Sequence, residues 1–359
     1  MRMKIGIMTM HRVKNYGSFL QAYGLKKTIE SLGHEVVFVD YKVEPPIVPY
    51  QDRSKIYELV RNLYHKVKKN IFKQKRLYYL YDDFYLPMLG VSKRKKYHDK
   101  VDVLIIGSDE VFNCLQPGVN VGYSRELFGK DNNADKVISY AASFGYTTLE
   151  WLTKYESYSE IGRMLSQVSR TSVRDNNSYE IVKELTGEAP ILHVDPVIIS
   201  NFDEDIPNQN RLKDYILIYA YNNRINREDE IVAIKEFAKK HNKKLLSIGI
   251  HQDWTDIKLE ANPLELLSYV KNADYIITDT FHGTIFSIKY NRPFVTIIRE
   301  SNKQKLGDLL QRFFVMDREI KDMTKLEETL LSPINFKKVN SIIKSETDRA
   351  ISYLKENLR

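Results

Sequence analysis

The sequence has little cysteine and no long apolar run. Cys114 is the single cysteine in 359 residues. An internal disulfide and a cysteine-cluster metal site are therefore excluded, and a reducing compartment is indicated. No stretch approaches the roughly 18 apolar residues that a membrane-spanning helix needs. The opening MRMKIGIMTMHRV is too short and too soon interrupted for a signal peptide. We therefore expect a cytoplasmic protein.

Motifs of several common enzyme classes are also missing. No G-x-G-x-x-G follows the first strand pattern and no G-x-x-x-x-G-K-[ST] occurs anywhere, so dinucleotide and P-loop sites lack support. No G-x-S-x-G is present, which removes the usual nucleophile of α/β-hydrolases. The eight histidines show no i, i+4 pair and no cluster, so we expect no metal site. Cys114 has no obvious partner histidine and is expected to be structural.

Positive charge is concentrated in one part of the chain. The net charge of the chain is +8, and residues 51–100 hold 14 lysines and arginines against 5 acidic residues, so the rest of the chain is close to neutral. Residues 55–76 place apolar side chains at helical spacing and predict a long amphipathic helix with a basic outer face. This helix is either a solvated face packed on its own domain or a surface for a phosphate-bearing acceptor or anionic lipid. The second alternative implies peripheral association with the inner face of the membrane. No nucleic-acid-binding module accompanies the charge, so nucleic acid is not an expected partner.

Strand and helix patterns alternate from end to end, which is typical of parallel sheets flanked by helices. The length of 359 residues favours two domains. A polar stretch, SNFDEDIPNQNRLKD, separates the first half from a fresh series of strands. The predicted fold class is α/β, with two Rossmann-like domains and a central cleft. Residues 1–199 form the first predicted domain, 200–335 the second, and 336–359 a closing C-terminal helix.

Polar residues follow four of the predicted strands. In open α/β sheets, ligands bind beyond the carboxyl ends of the strands. If the sheets are parallel, the residues that follow each strand lie at one edge, and we expect all four groups to face one cleft. The groups are NYGS (Asn15, Tyr16, Gly17 and Ser18), GSDE (Gly107, Ser108, Asp109 and Glu110), RD (Arg174 and Asp175) and DTFHG (residues 279–283).

Each of these groups also has a purely structural explanation. NYGS is either a capped helix start, with Asn15 or Ser18 as the cap, or an anion site formed by N–H groups at the helix end. GSDE is a common strand-to-helix turn. Arg174 offers a planar fork suited to a carboxylate or a phosphate. The alternative for Arg174 is an ion pair with Asp175 or Asp195.

His282 is the strongest candidate for chemistry. It precedes a glycine at the tip of an apolar strand and opens the predicted helix GTIFSIKYN. A helix N-terminus favours an anionic ligand, and an anion beside an imidazole tends to keep it protonated. A protonated histidine next to an anion is a good general acid. A lone histidine is nevertheless more often structural than catalytic.

Six segments, in this order, resemble the polysaccharide pyruvyl transferase family: NYGSFLQAYGLKKTIESLGHEVVFVDY, DVLIIGSDEVFN, SYAASFG, SVRD, HVDPV and TDTFHGTIFSIKYNRPFV. The likeness covers roughly residues 3–300. It implies the two-domain GT-B fold and transfer of the enolpyruvyl group of phosphoenolpyruvate onto a sugar hydroxyl of a bacterial surface polysaccharide (exopolysaccharide or capsule) or its precursor. The usual product is a cyclic pyruvate ketal. Phosphoenolpyruvate is then a co-substrate, and no cofactor is expected.

The resemblance also implies roles for individual residues. Arg174 aligns with a residue expected to hold the phosphoenolpyruvate carboxylate, and His282 aligns with the proposed general acid. Many relatives have Arg-Leu-His-Gly where this chain has residues 280–283 as Thr-Phe-His-Gly, so one donor-side arginine is absent there. Glu110 stands where relatives often have glutamine. The nearby basic residues that are candidates to replace the arginine are Arg292, Arg299, Lys303 and Lys305.

On this interpretation His282 protonates the donor, and Asp109 or Glu110 accepts the proton of the sugar hydroxyl. The predicted donor-binding residues are Arg174, Thr280, Phe281, Gly283 and Thr284. The predicted acceptor-binding residues are Asn15, Tyr16, Gly17, Ser18 and Ser108. The acceptor itself stays open: it is galactose, glucose, N-acetylmannosamine or a related sugar, and it is free, nucleotide-linked, lipid-linked or polymeric.

Two other functions stay open. A nucleotide-sugar glycosyltransferase uses the same two-domain scaffold, and Asp279 is then a candidate contact for a ribose. A non-catalytic glycan- or lipid-binding relative, which would use the basic helix, is the second. The presence of both Arg174 and His282 argues against a degenerate site.

Overall fold

The computed structural model describes residues 2–47, 81–97, 100–116, 122–207, 212–221, 224–299 and 302–359. They divide into two compact units. The first holds the described residues up to Asn201 together with Ser345–Arg359, and the second holds those of Phe202–Lys344. The last helix, Phe336–Asn357, thus begins in the second unit and ends in the first. The predicted basic helix at 55–76 lies outside the described residues.

The first unit is an α/β domain. Its strands are β1 (Lys4–Met8), β2 (Glu35–Phe38), β3 (Val101–Ile106), β4 (Ala134–Ser139), β5 (Ser172–Val173) and β6 (Ile191–Leu192). Its helices are α1 (Tyr16–Ser31), α2 (Leu86–Leu89), α3 (Leu149–Lys154), α4 (Tyr158–Leu165), α5 (Asn176–Thr186) and α6 (Pro196–Ile199), with a π-helical turn at Tyr81–Tyr85 and a 3₁₀ turn at Arg125–Phe128.

The four main strands of this unit form a parallel sheet in the order β2-β1-β3-β4, and β5 pairs with β6 in parallel. The chain adds β2 on one side of β1 and β3 on the other, so the topological switch point lies between β1 and β3. Strand β3, VDVLII, is almost continuously apolar because helices cover both faces of a parallel sheet. Phe112 stacks on Phe128 at a ring-centroid distance of 5.0 Å inside the core.

Cys114 is fully buried in the same core, as expected for a structural cysteine. Burial raises the pKa of its thiol. A buried, protonated thiol is a poor nucleophile. The side chain therefore acts as a small apolar group in packing.

The second unit is also an α/β domain. Its strands are β7 (Tyr215–Tyr219), β8 (Lys244–Ile248), β9 (Ile257–Leu259), β10 (Tyr275–Thr278), β11 (Phe294–Ile297) and β12 (Glu319–Ile320). Its helices are α7 (Glu228–Lys240), α8 (Pro263–Asn272), α9 (Phe281–Lys289), α10 (Lys303–Arg312), α11 (Leu326–Leu331) and the first part of α12 (Phe336–Asn357), with 3₁₀ turns at Met316–Arg318 and Met323–Lys325.

All six strands of the second unit form one parallel sheet in the order β12-β11-β10-β7-β8-β9. Here the chain extends the sheet from β7 through β8 and β9, then returns to place β10 on the other side of β7. The switch point of this sheet therefore lies between β7 and β10. Its core is aliphatic, with Ile218, Ile277 and Val295 fully buried.

The helices also bear on whether the chain could span a bilayer. Within the ranges given above, no helix combines the length and the apolar character that crossing a membrane requires.

Helices α4 and α5 approach each other closely at Gly162. A Cβ atom at this position would lie 2.8 Å from the carbonyl oxygen of Leu185, and backbone cannot move away as a flexible side chain can. We expect Gly162→Ala to lower the free energy of unfolding by about 1–3 kcal/mol. Gly307 in α10 is the matched control, because nothing lies within 4 Å of a Cβ there. Gly307→Ala should raise stability by about 0.5–1 kcal/mol. Equal effects of the two changes in urea titrations would contradict the close approach.

Candidate functional site

Three of the four predicted polar groups converge at the carboxyl edge of the first unit. The Ser18 hydroxyl donates a hydrogen bond to Asp109 Oδ2 at 2.8 Å. The Arg174 guanidinium donates to Asp109 Oδ1 at 3.2 Å and to Asp195 Oδ2 at 3.0 Å. We call Ser18, Asp109, Arg174 and Asp195 the Asp109 cluster. It joins segments that follow β1, β3, β5 and β6, and it includes the switch point of the sheet.

Local structure holds each member of the Asp109 cluster in place. Asn15 caps α1 by accepting a hydrogen bond from the backbone N–H of Ser18 at 2.7 Å, so the capping interpretation of NYGS is confirmed. Asp195 caps α6 in the same way, through the N–H of Val197 at 3.0 Å. Asp109 has a φ of 81°, in the left-handed region that non-glycine residues rarely adopt. Its hydrogen bonds hold it in that conformation.

Arg174 is buried, with only 3% of its side chain exposed. Burial disfavours its charged form, but the carboxylates of Asp109 and Asp195 more than offset this and raise its pKa. The ion pair with Asp195, given above as the alternative, is therefore present. Asp175 instead caps α5 and accepts a hydrogen bond from the Ser143 hydroxyl at 2.6 Å. The predicted role of Arg174 in donor binding stays a prediction.

The other predicted residues of this unit differ in exposure. Tyr16, Gly17 and Ser108 are buried, and the Ser108 hydroxyl donates to the carbonyl of Ala141 at 2.9 Å. Glu110 is partly exposed and accepts a hydrogen bond from the amide of Asn113 at 3.1 Å. Of the two carboxylates predicted to act as a base, Glu110 is thus the more accessible.

A buried charge that the sequence reasoning missed follows β2. Asp40 is paired with Arg12 through both carboxylate oxygens, and its Oδ1 lies 3.3 Å from His11 Nε2. Burial alone would raise the pKa of Asp40, but the hydrogen bonds from Arg12 and the nearby His11 ring hold it well below its usual range. The signal available in the sequence was an aspartate directly after the apolar run EVVFV.

The second unit places His282 in the first turn of α9, directly after β10. Thr280 is the N-cap and accepts a hydrogen bond from the backbone N–H of Gly283 at 2.9 Å. The Thr284 hydroxyl donates back to the Thr280 carbonyl at 3.0 Å. Phe281 and His282 are partly exposed, and their rings contact each other at 5.5 Å between centroids. His282 therefore lies at the switch-point edge of its sheet.

Position 283 requires glycine because the start of α9 lies very close to the sheet. A Cβ atom at this position would lie 2.1 Å from Thr278 Oγ1 and 2.8 Å from Tyr219 Cδ1. With any other residue, either α9 or the side chains of Thr278 and Tyr219 would have to shift. The glycine after the histidine thus serves packing, and it brings the start of α9 tightly against the sheet.

Asp279 lies beneath the start of α9 and is fully buried. It accepts a hydrogen bond from the N–H of Tyr221 at 3.3 Å, and its Oδ2 lies 3.6 Å from Arg224 NH1. Burial raises the pKa of this carboxyl to about 6, against the opposing effect of Arg224. The Asp279 side chain is fully buried, and the ribose contact considered for it stays a prediction.

The four basic residues considered for the donor side differ in position. Arg292 donates to the carbonyls of Tyr290 and Ala273, which precede β11 and β10, so it lies at the amino edge, away from His282. Arg299 is paired with Glu230 through both carboxylate oxygens, at 2.7 and 2.9 Å. Lys303 and Lys305 lie in the first turn of α10, on the carboxyl side of β11.

The sequence reasoning did not consider the segment after β7. Tyr221 and Arg224 lie there, at the switch point beside β10, and both contact Asp279. The signal was the polar group YNNR directly after the apolar run YILIYA. Among the described residues, no group of three or more histidine, cysteine, aspartate or glutamate side chains could hold a metal ion.

Two Rossmann-like units with parallel sheets define a protein with the GT-B fold. S. aureus MnaA, solved with UDP, matches with a TM-score of 0.52 and 9% identity over 100% of this chain and 97% of that chain. The spinosyn rhamnosyltransferase SpnG with thymidine diphosphate matches with a TM-score of 0.50 and 10% identity over 100% of both chains. A putative UDP-N-acetylglucosamine 2-epimerase from Listeria monocytogenes gives a TM-score of 0.50 and 9% identity over 98% and 91%. These likenesses show the fold alone.

Within that class, the sequence decides the family. The model of the family described as polysaccharide pyruvyl transferase matches residues 15–301. The chain therefore belongs to the polysaccharide pyruvyl transferase family. A comparison with curated proteins found no match.

The buried ion pairs of Arg174 predict a large structural effect of its removal. Arg174→Ala would leave Asp109 and Asp195 buried without their cation, so we expect the free energy of unfolding to fall by about 3–5 kcal/mol. Urea denaturation at neutral pH measures this loss. Arg163→Ala, at an exposed position of α4, is the control and should stay within about 0.5 kcal/mol of the native protein. A stable Arg174→Ala protein would show that the two carboxylates do not depend on this cation.

Asp279 predicts a pH-dependent stability. Its pKa in the folded protein is about 6, above the ordinary 3.8, so the folded state binds the proton more tightly than the unfolded chain does. Its contribution is fully present below about pH 4 and is lost as the pH rises through 6. Asp279→Asn removes this titration. The stability of the native protein minus that of the variant should therefore fall by about 2–3 kcal/mol between pH 4 and pH 7. A constant difference across this range would refute the raised pKa.

Proposed function

We propose that this protein moves the enolpyruvyl group of phosphoenolpyruvate onto a sugar hydroxyl of a bacterial surface polysaccharide or its precursor. Phosphate is released and a cyclic pyruvate ketal is formed. Membership of the polysaccharide pyruvyl transferase family supports the transfer of a pyruvyl group. The proposed place of the reaction is the cytoplasm, at the inner face of the membrane where the acceptor is lipid-linked.

The observation that carries the proposal is the position of His282. Its ring is partly exposed at the start of α9, in the turn that follows β10, at the switch-point edge where ligands of parallel sheets bind. The ring contacts Phe281 and, at 6.1 Å between centroids, Phe286. Aromatic neighbours on two sides restrict its orientation. The start of a helix adds a favourable field for an anionic donor beside it.

The chemistry follows from this placement. His282 gives a proton to the methylene carbon of phosphoenolpyruvate, which becomes a methyl group, and positive character develops at the adjacent carbon. A sugar hydroxyl attacks that carbon and loses its proton to a carboxylate. The C–O bond to phosphate then breaks, and a neighbouring hydroxyl of the sugar attacks the same carbon to close the ketal. The proton of this second hydroxyl passes to the released phosphate or to His282. One donor and two hydroxyls thus give one ketal and one phosphate.

Residues of the first unit are proposed to serve the acceptor side. Glu110 and Asp109 are the proposed proton acceptors. Glu110 is the more accessible, whereas Asp109 already accepts hydrogen bonds from Ser18 and Arg174. With this carboxylate held between a hydroxyl and a guanidinium, the Asp109 cluster is suited to orienting polar groups at the edge of its sheet.

The test of the proposal is His282→Ala. Removal of a general acid should lower turnover by about 10²- to 10⁴-fold. Phosphate release from phosphoenolpyruvate, measured with a panel of sugar acceptors, reports turnover. Thermal stabilisation of the protein by phosphoenolpyruvate, beside a panel of nucleotide sugars, reports donor binding without any acceptor. At 100 times its Kd a ligand stabilises by about 2.7 kcal/mol, which is readily detected.

His241→Ala is the matched control. This histidine ends α7 and pairs with Glu327 at 2.7 Å, so its removal should leave turnover unchanged. Normal turnover in His282→Ala would remove the histidine from the mechanism. Stabilisation by a nucleotide sugar alone would favour the glycosyltransferase alternative. Stabilisation by neither class of donor, with binding to glycan or lipid, would favour the non-catalytic alternative.

A further inference from the structure

Arg224 lies at the same sheet edge as His282. It follows β7, the strand that pairs with β10 in the centre of the second sheet. Its carbonyl oxygen accepts a hydrogen bond from Arg299 at 2.7 Å, which fixes its backbone. Its side chain reaches the residue directly after β10, with NH1 at 3.6 Å from Asp279 Oδ2. The cation is therefore placed beside the turn that carries His282.

The ion pair between Arg224 and Asp279 is incomplete. A distance of 3.6 Å is too long for a hydrogen bond. Both atoms are buried, and neither Arg224 NH1 nor Asp279 Oδ2 makes a hydrogen bond to any residue in the described part of the chain. A buried donor on a charged group without an acceptor is costly. The Arg224 side chain as a whole is 16% exposed, so an oxyanion can reach it and supplement the incomplete pair with Asp279.

Arg299, the neighbouring cation, is already paired with a carboxylate of the protein. Arg299 donates to both carboxylate oxygens of Glu230 and to the Arg224 carbonyl. Its guanidinium is thus already matched by a buried carboxylate with good geometry. Arg224 has no such match in the described residues and retains capacity to bind an anion.

Tyr221 places the Arg224 guanidinium at the boundary with solvent. The centre of the guanidinium lies 5.4 Å from the centroid of the tyrosine ring, and 40% of Tyr221 is exposed. A planar cation over an aromatic face keeps its donors in the plane available for an oxyanion. The Arg224 guanidinium thus lies close to both a buried carboxylate and an exposed aromatic ring.

We propose that Arg224 is a donor-binding residue, whose guanidinium binds an oxyanion of phosphoenolpyruvate, from its phosphate or its carboxylate, at the edge that presents His282. This inference rests on the proposed function and extends it to a residue that none of the six quoted family-like segments contains. Arg224 would also supply a cation on the donor side, where this chain has Thr280 and Phe281 in place of the Arg-Leu of many relatives.

The experiment compares donor binding by three variants. Arg224→Gln should weaken binding of phosphoenolpyruvate by roughly 10- to 100-fold, the effect of losing a charge-assisted hydrogen bond. Arg227→Gln is the matched control, since Arg227 lies three positions further on, is exposed and pairs with Asp229. It should bind as the native protein does. Affinities are measured by thermal stabilisation across a concentration series.

The double variant Arg224→Gln, Asp279→Asn separates binding from folding. It removes the uncompensated carboxylate, so the melting temperature without ligand should recover relative to Arg224→Gln alone. If Arg224 contacts the donor, the affinity for phosphoenolpyruvate will not recover with it. Recovery of both would show that Arg224 acts only as the counter-ion of Asp279 and would overturn the inference.

Two simple probes distinguish the oxyanions. Loss of stabilisation by inorganic phosphate in Arg224→Gln, with that by pyruvate retained, would assign the contact to the phosphate group. The reverse would assign it to the carboxylate, and either result supports the inference. Native-like binding of phosphoenolpyruvate by Arg224→Gln overturns it while leaving the proposed function intact. A native protein that does not bind phosphoenolpyruvate refutes both.

Discussion

The parallel pairing of the strands is the constraint on which both candidate regions depend. Every strand pair in the described residues is parallel, so each sheet collects the carboxyl ends of its strands at one edge. Within the apolar strands the backbone groups are paired with neighbouring strands. The polar side chains of the two candidate regions lie in the segments that follow the strands. The Asp109 cluster and the turn with His282 are two results of the same rule, one in each unit.

Buried charge is managed in different ways at these edges. Arg174 is matched by two carboxylates at hydrogen-bonding distance, and Asp40 is held by Arg12 on both oxygens, so these groups are satisfied within the protein. Asp279 and Arg224 face each other at 3.6 Å without a hydrogen bond. A completed buried pair is satisfied within the protein, whereas an incomplete pair leaves buried charged groups without some of their hydrogen bonds. Residue type alone does not show this difference between the two arginines.

Most of the candidate site could be predicted from residues that follow apolar runs. Ser18, Asp109 and Arg174 were predicted from that pattern, and the structure brings them into one hydrogen-bonded chain. Arg224 was missed because four residues, at positions 220–223, separate it from β7, and because its partner Asp279 lies 55 positions further along the chain. The local sequence pattern predicts where a strand ends, but it does not predict which strands lie next to each other in the sheet.

By itself, the sequence determined the fold class, the alternation of strands and helices, and the family, because hydrophobic periodicity, chain length and the order of short motifs are properties of the linear chain. Only the tertiary structure decided that Arg174 is ion-paired and buried, that Asp279 is turned away from solvent, and that Arg224 stands beside it. Those properties depend on strand order and on burial. The order β10-β7 places residues from distant parts of the chain side by side. Because burial removes water from around these residues, each buried charge then depends on the protein groups that the fold brings next to it.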